Sequence, residues 1–188
     1  MIVGILLAAG SGTRFGSHKL LHPLPDGTPM AVAALRNLAQ GVDEVIVVVR
    51  PGDTRLMQLL AQEKARVLPC AKADQGMGAS LACGVCAAPD AEGWIIALAD
   101  MPFVPGEIIR TLAGRLKAGD AIVAPAYLGQ RGHPVAFGHA FYPALSALSA
   151  DQGARHILKN NTDRLTLIPS THPGVLRDID TQADLSRP

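Results

Sequence analysis

The sequence has few aromatic residues, few charged residues and almost no excess of either charge. Its 188 residues include one Trp, two Tyr and four Phe, too few for the aromatic surface on which single-stranded RNA stacks. Charged residues make up 18% of the chain, against about 25% in an average soluble domain. With 17 basic and 16 acidic residues the net charge is +1, so the chain lacks the positive field that sequence-independent nucleic-acid binding requires.

Cysteine is also scarce and is not arranged for a metal or a disulfide framework. Cys70, Cys83 and Cys86 are an odd number, and no second pair completes a zinc site. We expect buried or bystander thiols, which indicates a reducing, cytoplasmic location.

Long hydrophobic runs are absent as well. The apolar run over residues 1–9 has no basic residue before it and is ended by Gly10, Ser11 and Gly12. It is shorter than the roughly 20 residues that cross a membrane, and it lacks the flanks of a signal peptide. We therefore expect a buried strand and no membrane association.

Aliphatic residues, by contrast, are abundant, since 48% of the chain is hydrophobic. The length favours one domain over residues 1–188, with a core of Ala, Val, Leu and Ile. Short β-branched runs alternate with segments of helical period. Strands are predicted at 2–8, 44–49, 94–99 and 121–124, and helices at 30–40, 54–63, 78–88 and 105–117. This order predicts an α/β fold with a single doubly wound, mostly parallel sheet.

The pattern changes after residue 124. A second β-like run at 132–137 follows too closely for a helical crossover, which predicts an antiparallel hairpin. The remainder predicts short helices at 140–148 and 153–159 and short strands at 165–168 and 176–179.

A glycine-rich segment leaves the first predicted strand. Small residues there allow backbone N–H groups to approach an anion, and Arg14 and Lys19 add positive charge. The spacing of Gly10, Gly12 and Gly16 is one residue longer than the dinucleotide fingerprint, and the segment has no G-K-[ST] of a P-loop. The residues thus favour phosphate binding but disfavour a nicotinamide or flavin dehydrogenase. A tight turn with solvated cations is the alternative.

Acidic residues occur at two places of interest. Asp100 directly follows the strand predicted at 94–99, at the end where open α/β sheets bind ligands. Asp178 and Asp180 flank Ile179, so in an extended segment their side chains would point to the same side. One of them could then join Asp100 around a hard cation, although solvated turn carboxylates are the alternative.

The whole chain resembles the MobA-like nucleotidyltransferases, the family of the molybdenum cofactor cytidylyl- and guanylyltransferases. The resemblance rests on six segments that occur in the family's order. They are L-A-A-G-x-G-x-R-F-G-x-x-K-L at 7–20, D-G-T-P-M at 26–30, L-A-D-M-P at 98–102, R-G-H-P at 131–134, D-Q-G-A-R at 151–155 and D-I-D-T at 178–181. The resemblance implies a Rossmann-like nucleotidyltransferase fold, with 1–100 mainly binding nucleotide and 101–188 mainly binding the acceptor.

It also implies roles for individual residues. A phosphate oxygen of the acceptor would attack the α-phosphate of a nucleoside triphosphate and release pyrophosphate. Lys19, Arg14 and Asp100 would be catalytic, and Asp100 and Asp180 would hold Mg²⁺. The nucleotide contacts implied are Leu7, Ala8, Ala9, Gly10, Ser11, Gly12, Arg14, Lys19, Gln75, Gly76, Ser80 and Asp100, and the acceptor contacts are Arg131, Gly132, His133, Pro134 and Arg155.

The resemblance favours CTP as donor, because cytidylyl enzymes usually carry Ala at position 9 where guanylyl enzymes carry Gly. The acceptor implied is the molybdopterin cofactor, with possible transient contact to a target molybdoenzyme or its chaperone. The sequence departs from the family between Pro69 and Gln75, where an aromatic residue and an Asn are often found. A MocA-like cytidylyltransferase is thus the first hypothesis. The alternatives are the same reaction with GTP or a sugar or polyol phosphate, and a non-catalytic molybdopterin carrier.

Overall fold

A computed structural model describes residues 1–10, 15, 18–117, 119 and 121–185. Eight strands in this part of the chain form one mixed sheet. They are β1 Ile2–Leu7, β2 Glu44–Val49, β3 Arg66–Pro69, β4 Gly93–Leu98, β5 Ile122–Tyr127, β6 Gln130–Arg131, β7 Val135–Gly138 and β8 Leu165–Ser170. The order across the sheet is β3-β2-β1-β4-β7-β5-β6, and β8 pairs in parallel with β5.

Helices cover both faces of the sheet, as a doubly wound fold requires. They are α1 Met30–Ala39, α2 Thr54–Leu60, α3 Met77–Cys86, α4 Gly106–Lys117, α5 Tyr142–Ser146, α6 Arg155–Asn160 and α7 Gln182–Leu185. Along β1, Ile2 and Leu6 pack into the core beneath α1, α2 and α4, whereas Val3 and Ile5 pack on the opposite face beneath α3, α5 and α6. Both faces of β1 are buried, which explains its continuous apolar sequence. Within the described ranges, no helix is both long and apolar enough to cross a bilayer.

The predicted mostly parallel sheet with an antiparallel element is confirmed. β1, β2, β3 and β4 are parallel, and β7 runs antiparallel between β4 and β5. Within the run predicted at 132–137 the strand begins only at Val135, and the tight hairpin with β5 is formed by β6, which precedes that run. Leu128 and Gly129 turn that hairpin with positive φ angles of 49° and 80°.

One strand was missed and one strand prediction was wrong. β3 was not predicted, because its four residues lie at the edge of the sheet and none is fully buried. The strand predicted at 176–179 does not form. A 3-10 turn occupies Pro173–Leu176, and residues 177–180 have no regular structure. Ile179 is buried and Leu176 is partly buried, so these apolar residues pack against the core without belonging to a strand.

Point contacts fix the C-terminal segment against the sheet. The N–H of Ile179 donates to the carbonyl of Asp100 (3.0 Å), and the N–H of His133 donates to the carbonyl of Val175 (2.8 Å). A Cβ at Gly174 would overlap the carbonyl of Phe103, so the two backbones meet as closely as glycine allows. The segment before α7 therefore lies beside the end of β4.

Candidate active site

A cavity of about 550 Å³ opens at the carboxyl ends of the parallel strands. Leu7 of β1 is in register with Val48 of β2 and Leu98 of β4, so these three strands end side by side. The segments that follow them supply much of the wall. The lining residues are Leu7, Ala9, Gly10, His18, Lys19, Leu20, Arg50, Asp53, Ala73, Gly76, Met77, Ser80, Leu98, Asp100, Asp151 and Asp180.

Three charged residues from distant parts of the chain meet in this cavity. The Lys19 Nζ lies 3.0 Å from Asp100 Oδ2 and 3.0 Å from Asp180 Oδ1. The Lys19 side chain is only 8% exposed, whereas those of Asp100 and Asp180 are 29% and 39% exposed. Burial by itself would lower the pKa of Lys19, but the charges and hydrogen bonds of the two carboxylates outweigh it and raise that pKa above 10.5. Lys19 is therefore positively charged at neutral pH.

The two carboxylates suit a divalent cation by their chemistry and position. Both direct an oxygen at one positive centre, and hard carboxylate oxygens are the ligands that Mg²⁺ takes from proteins. No cluster of three or more His, Cys, Asp or Glu residues able to hold a metal occurs in the part of the chain described. Mg²⁺ usually keeps several waters and is held by one or two carboxylates together with substrate phosphates. Asp100 and Asp180 fit that pattern.

Of the residues implied for the nucleotide loop, Leu7, Ala9, Gly10 and Lys19 line the cavity. Ala8 does not, because it is buried and its N–H donates to the carbonyl of Val48 (2.9 Å). The remaining predicted loop contacts, Ser11, Gly12 and Arg14, lie outside the described residues.

Two further contacts that the sequence did not indicate border this loop. The Nε of Arg50, just past β2, donates to the carbonyl of Ala9 (2.6 Å). His18 Nε2 contacts both carboxylate oxygens of Asp53, at 2.9 and 3.0 Å. Asp53 also accepts the N–H of Leu56 and so begins α2. The only sequence signal was position, since both Arg50 and Asp53 follow the carboxyl end of a strand that neighbours β1.

The N-terminus of α3 forms another wall. Gly76 and Ser80 line the cavity, whereas Gln75 is exposed and is not among the lining residues. Asp151 reaches this helix from the other half of the chain, and its Oδ1 accepts the N–H of Met77 (3.3 Å). Gly76 has a φ of +120°, and a Cβ there would overlap Asp151. The glycine is therefore needed for packing against Asp151, whatever its role toward a nucleotide.

The residues implied for the acceptor do not line this cavity. His133 and Pro134 border a separate void of about 10 Å³, and Gly132 packs so closely on Val175 that a Cβ would overlap its carbonyl. Arg155 is the first residue of α6. Burial, together with the charge of Arg155, lowers the pKa of Arg131. The two arginines are therefore within electrostatic reach of each other.

His133 is within electrostatic reach of Asp100 at the cavity and of Arg131 and Arg155 outside it. Burial and then the charge of Arg131 lower its pKa below 6.5, and the opposing charges of Asp100 and Asp178 offset this only in part. Its Nδ1 is buried without a hydrogen-bond partner among the residues described. His133 is therefore neutral at pH 7.

None of the three cysteines is among the residues that line the cavity. All three are free thiols: Cys70 is buried, Cys83 is partly buried and Cys86 is exposed. Burial and the neighbouring Cys70 raise the pKa of the Cys83 thiol to about 12, so little of it is the nucleophilic thiolate at neutral pH.

The carboxyl edge of the sheet, where open α/β folds bind their ligands, carries the lysine and the acidic pair. Residues 4–165 match the MobA-like NTP transferase domain. The chain belongs to this family and is a nucleotidyltransferase of the MobA-like type, as the sequence resemblance predicted.

Curated relatives carry several names. The chain is 29% identical to the purine catabolism protein PucB of Bacillus subtilis, covering 96% of this chain and 92% of that protein. It is also 29% identical to the nicotine blue oxidoreductase of Paenarthrobacter nicotinovorans, covering 99% and 95%. A molybdenum cofactor guanylyltransferase of Burkholderia ambifaria is 37% identical over 66% of this chain and 61% of its own length.

Solved structures agree with the fold. A nucleotidyl transferase from Methanothermobacter thermautotroptrophicus superposes with a TM-score of 0.83 at 26% identity, covering 98% of this chain and 94% of that one. Rv0371c from Mycobacterium tuberculosis, in a structure described as a complex with manganese, superposes with a TM-score of 0.79 at 25% identity, covering 97% and 95%.

Proposed function

We propose that this protein transfers CMP from CTP to the terminal phosphate of the molybdopterin cofactor, with Mg²⁺ and with release of pyrophosphate. The observation that carries the proposal is the meeting of Lys19, Asp100 and Asp180 at the cavity that follows β1. Nucleotidyl transfer needs a nucleophile and leaving group held in line and a neutralised α-phosphate. A buried lysine beside two acids supplies both signs of charge that such a site requires.

The division of labour follows from burial and charge. When bound, Mg²⁺ would neutralise charge on the transferring phosphate, and Asp100 and Asp180 would hold it. Lys19 would contact the α-phosphate oxygens, because its ammonium group is charged and already lies at the cavity wall. Arg50 fixes the carbonyl of Ala9 and so holds the loop that would enclose the phosphates.

The choice of CTP rests on the wall beside Ala9. Its side chain lines the cavity, and its backbone is held by Arg50. A methyl group at this position narrows the space beside the base, which favours a pyrimidine over a purine. The Burkholderia relatives are named guanylyltransferases, and GTP is therefore the second candidate donor.

The acceptor assignment rests on charge. Arg131 and Arg155 lie within electrostatic reach of each other, and two guanidinium groups form a site for a phosphate. Named relatives act in molybdenum cofactor synthesis, which supports molybdopterin as the molecule that carries this phosphate. Direct delivery of the product to a target molybdoenzyme or its chaperone forms part of this proposal.

The test is to incubate the pure protein with Mg²⁺, one of the four nucleoside triphosphates, and cofactor released from a molybdoenzyme, and to identify dinucleotides by mass. The expected product is the cytosine dinucleotide, with one pyrophosphate released per molecule formed. Asp100→Asn, which keeps the side-chain shape, is the inactive control. A guanine dinucleotide alone would overturn the choice of CTP. If no dinucleotide forms with any triphosphate, but a sugar or polyol phosphate accepts the nucleotide, molybdopterin is not the acceptor.

A further inference from the structure

Asp184 is a buried acid whose position in α7 needs an explanation. The residue is only 8% exposed, and aspartate is rarely buried to this degree unless it is fully paired. The helix that contains it has four residues, Gln182–Leu185, and so short a helix has little stability of its own.

The hydrogen bonds of Asp184 point back toward Asp180. Its Oδ2 accepts the N–H of Asp180 (3.1 Å), the N–H of Thr181 (2.8 Å) and the hydroxyl of Thr181 (2.8 Å). Thr181 before the helix and an acid three residues later have the spacing of a capping box, but only the acid's half of the box forms. The Asp184 N–H donates to the Thr181 carbonyl (3.1 Å), and the Thr181 hydroxyl donates to the Asp184 carboxylate. In a capping box the acid accepts the backbone N–H of the residue before the helix, here Thr181. Asp184 also accepts the N–H of Asp180, one residue earlier.

Asp180 needs such support because it lies in a segment without sheet pairing. Residues 177–180 have no regular structure, so no ladder of hydrogen bonds determines where the Asp180 side chain points. On one side of Asp180, the N–H of Ile179 donates to the carbonyl of Asp100 (3.0 Å), and Ile179 is fully buried. On the other side, the N–H of Asp180 donates to the Asp184 carboxylate (3.1 Å).

Arg177 connects this arrangement to the loop after β4, which carries Asp100. Its Nη2 donates to the carbonyl of Asp184 (3.0 Å), and its guanidinium lies 4.2 Å from the centre of the Phe103 ring. Phe103 follows Asp100 by three residues. The short helix is thereby attached to the same loop that carries the first acid of the pair.

We infer that Asp184 is a positioning residue for the site: its carboxylate holds the backbone at Asp180 and Thr181, and so keeps the Asp180 side chain in contact with Lys19 and opposite Asp100. The metal-binding part of this inference rests on the proposed function. The part that concerns the contact between Lys19 and Asp180 does not rest on the proposed function, because this contact is present in the protein without ligands.

The first measurement is therefore independent of activity. Labelling of Lys19 by an amine reagent, followed by mass spectrometry, is compared among wild type, Asp184→Ala, Asp184→Asn and the control Asp26→Asn. Asp26 accepts the N–H of Thr28 in a turn that does not line the cavity. We expect several-fold faster labelling in Asp184→Ala, near wild-type labelling in Asp184→Asn, which keeps an acceptor oxygen, and no change in the control. Unchanged labelling in Asp184→Ala would overturn the inference.

The second measurement uses Mn²⁺ affinity, read by electron paramagnetic resonance, in a double-mutant cycle. Residues that orient metal ligands typically change metal affinity by about 10- to 100-fold when removed. We expect about a 10-fold loss in Asp184→Ala, and no further loss when Asp184→Ala is added to Asp180→Ala. Additive losses would mean that Asp184 affects Mn²⁺ binding independently of Asp180, and an unchanged affinity in Asp184→Ala would mean that it does not affect metal binding at all; either result would overturn the inference.

A milder variant keeps the test decisive if Asp184→Ala does not fold. Thr181→Val removes the hydroxyl's hydrogen bond and leaves the two backbone bonds to Asp184 in place, so it should accelerate Lys19 labelling less than Asp184→Ala does, by about 2-fold. An unchanged rate in Thr181→Val would then count against the inference. Altered labelling with no nucleotidyl transfer from any triphosphate would refute the proposed function and leave the positioning role intact.

Discussion

The two acids of the site are held in different ways. Asp100 follows β4, which is paired on both sides, with β1 in parallel and with β7 antiparallel. Asp180 follows a segment without regular structure that is held by single contacts at Val175, Ile179 and Asp184. A ladder distributes its support over many hydrogen bonds, whereas a segment held by point contacts depends on each of them. We therefore expect that remote substitutions which displace Asp180 leave Asp100 in place.

The largest expected effect is a loss of turnover on substitution of Asp100, the acid that follows the paired strand β4. Asp100→Asn removes a negative charge without altering the backbone, so kcat should fall by at least roughly 100-fold, the scale of losing a main transition-state partner. Pyrophosphate release at saturating CTP and acceptor is the measurement. Turnover close to that of the wild type would remove Asp100 from the mechanism.

The next effect tests the point contacts directly. Gly174→Ala places a Cβ against the carbonyl of Phe103, and overpacking of this kind costs about 1–3 kcal/mol. Urea unfolding should show that loss, while the strands around Asp100 keep their hydrogen-exchange protection. Gly114→Ala is the matched control, because a Cβ at Gly114 would meet no atom of the described residues within 4 Å. If β4 and residues 173–180 lose hydrogen-exchange protection equally, the supports of Asp100 and Asp180 are not independent of each other.

A smaller effect is expected from Ala9→Gly. The loop backbone is held by Arg50 at the Ala9 carbonyl and by Ala8 at Val48, so removal of one methyl group should widen the wall without moving the loop. We expect the ratio of kcat/KM for CTP over GTP to fall by about 10-fold, the scale of one methylene in a pocket. If the ratio does not change, Ala9 does not select the base.

The smallest effect concerns pH. The lowered pKa of His133 means that the unfolded chain takes up a proton near pH 6.5 while the folded chain does not. Stability is therefore lost as the pH falls below about 6.5, until the pH passes the lower pKa of the folded state. Urea unfolding at pH 7.5 and 5.5 should show a smaller decrease for His133→Asn than for the wild type. An equal decrease would mean that His133 does not contribute.

The strands that the sequence predicted well are those buried on both faces. The apolar runs of β1, β2 and β4 are visible because a central parallel strand has no solvent-facing side. The sequence missed the edge strand β3 and wrongly predicted a strand at 176–179. β3 is a strand with little burial, whereas the second segment contains the buried Ile179 but forms no strand.

The site was predictable to a similar degree. Lys19, Asp100 and Asp180 occur in motifs, so the resemblance identified them. Arg50, Asp53, Asp151 and Asp184 carry no motif of their own, and their roles come from contacts with residues that are far away in the chain or that only this fold brings into place. Hydrogen bonds of that kind leave no periodic trace in a sequence.

By itself, the order of amino acids determined the layering of strands and helices and the family, because burial on both faces and glycine-rich turns impose local patterns. Only the tertiary structure decided that a lysine at position 19 lies between acids at 100 and 180. That meeting depends on which strands are neighbours and on how the last segment packs against them. Those long-range contacts are selected by the packing of the whole chain, and no local stretch of sequence specifies them.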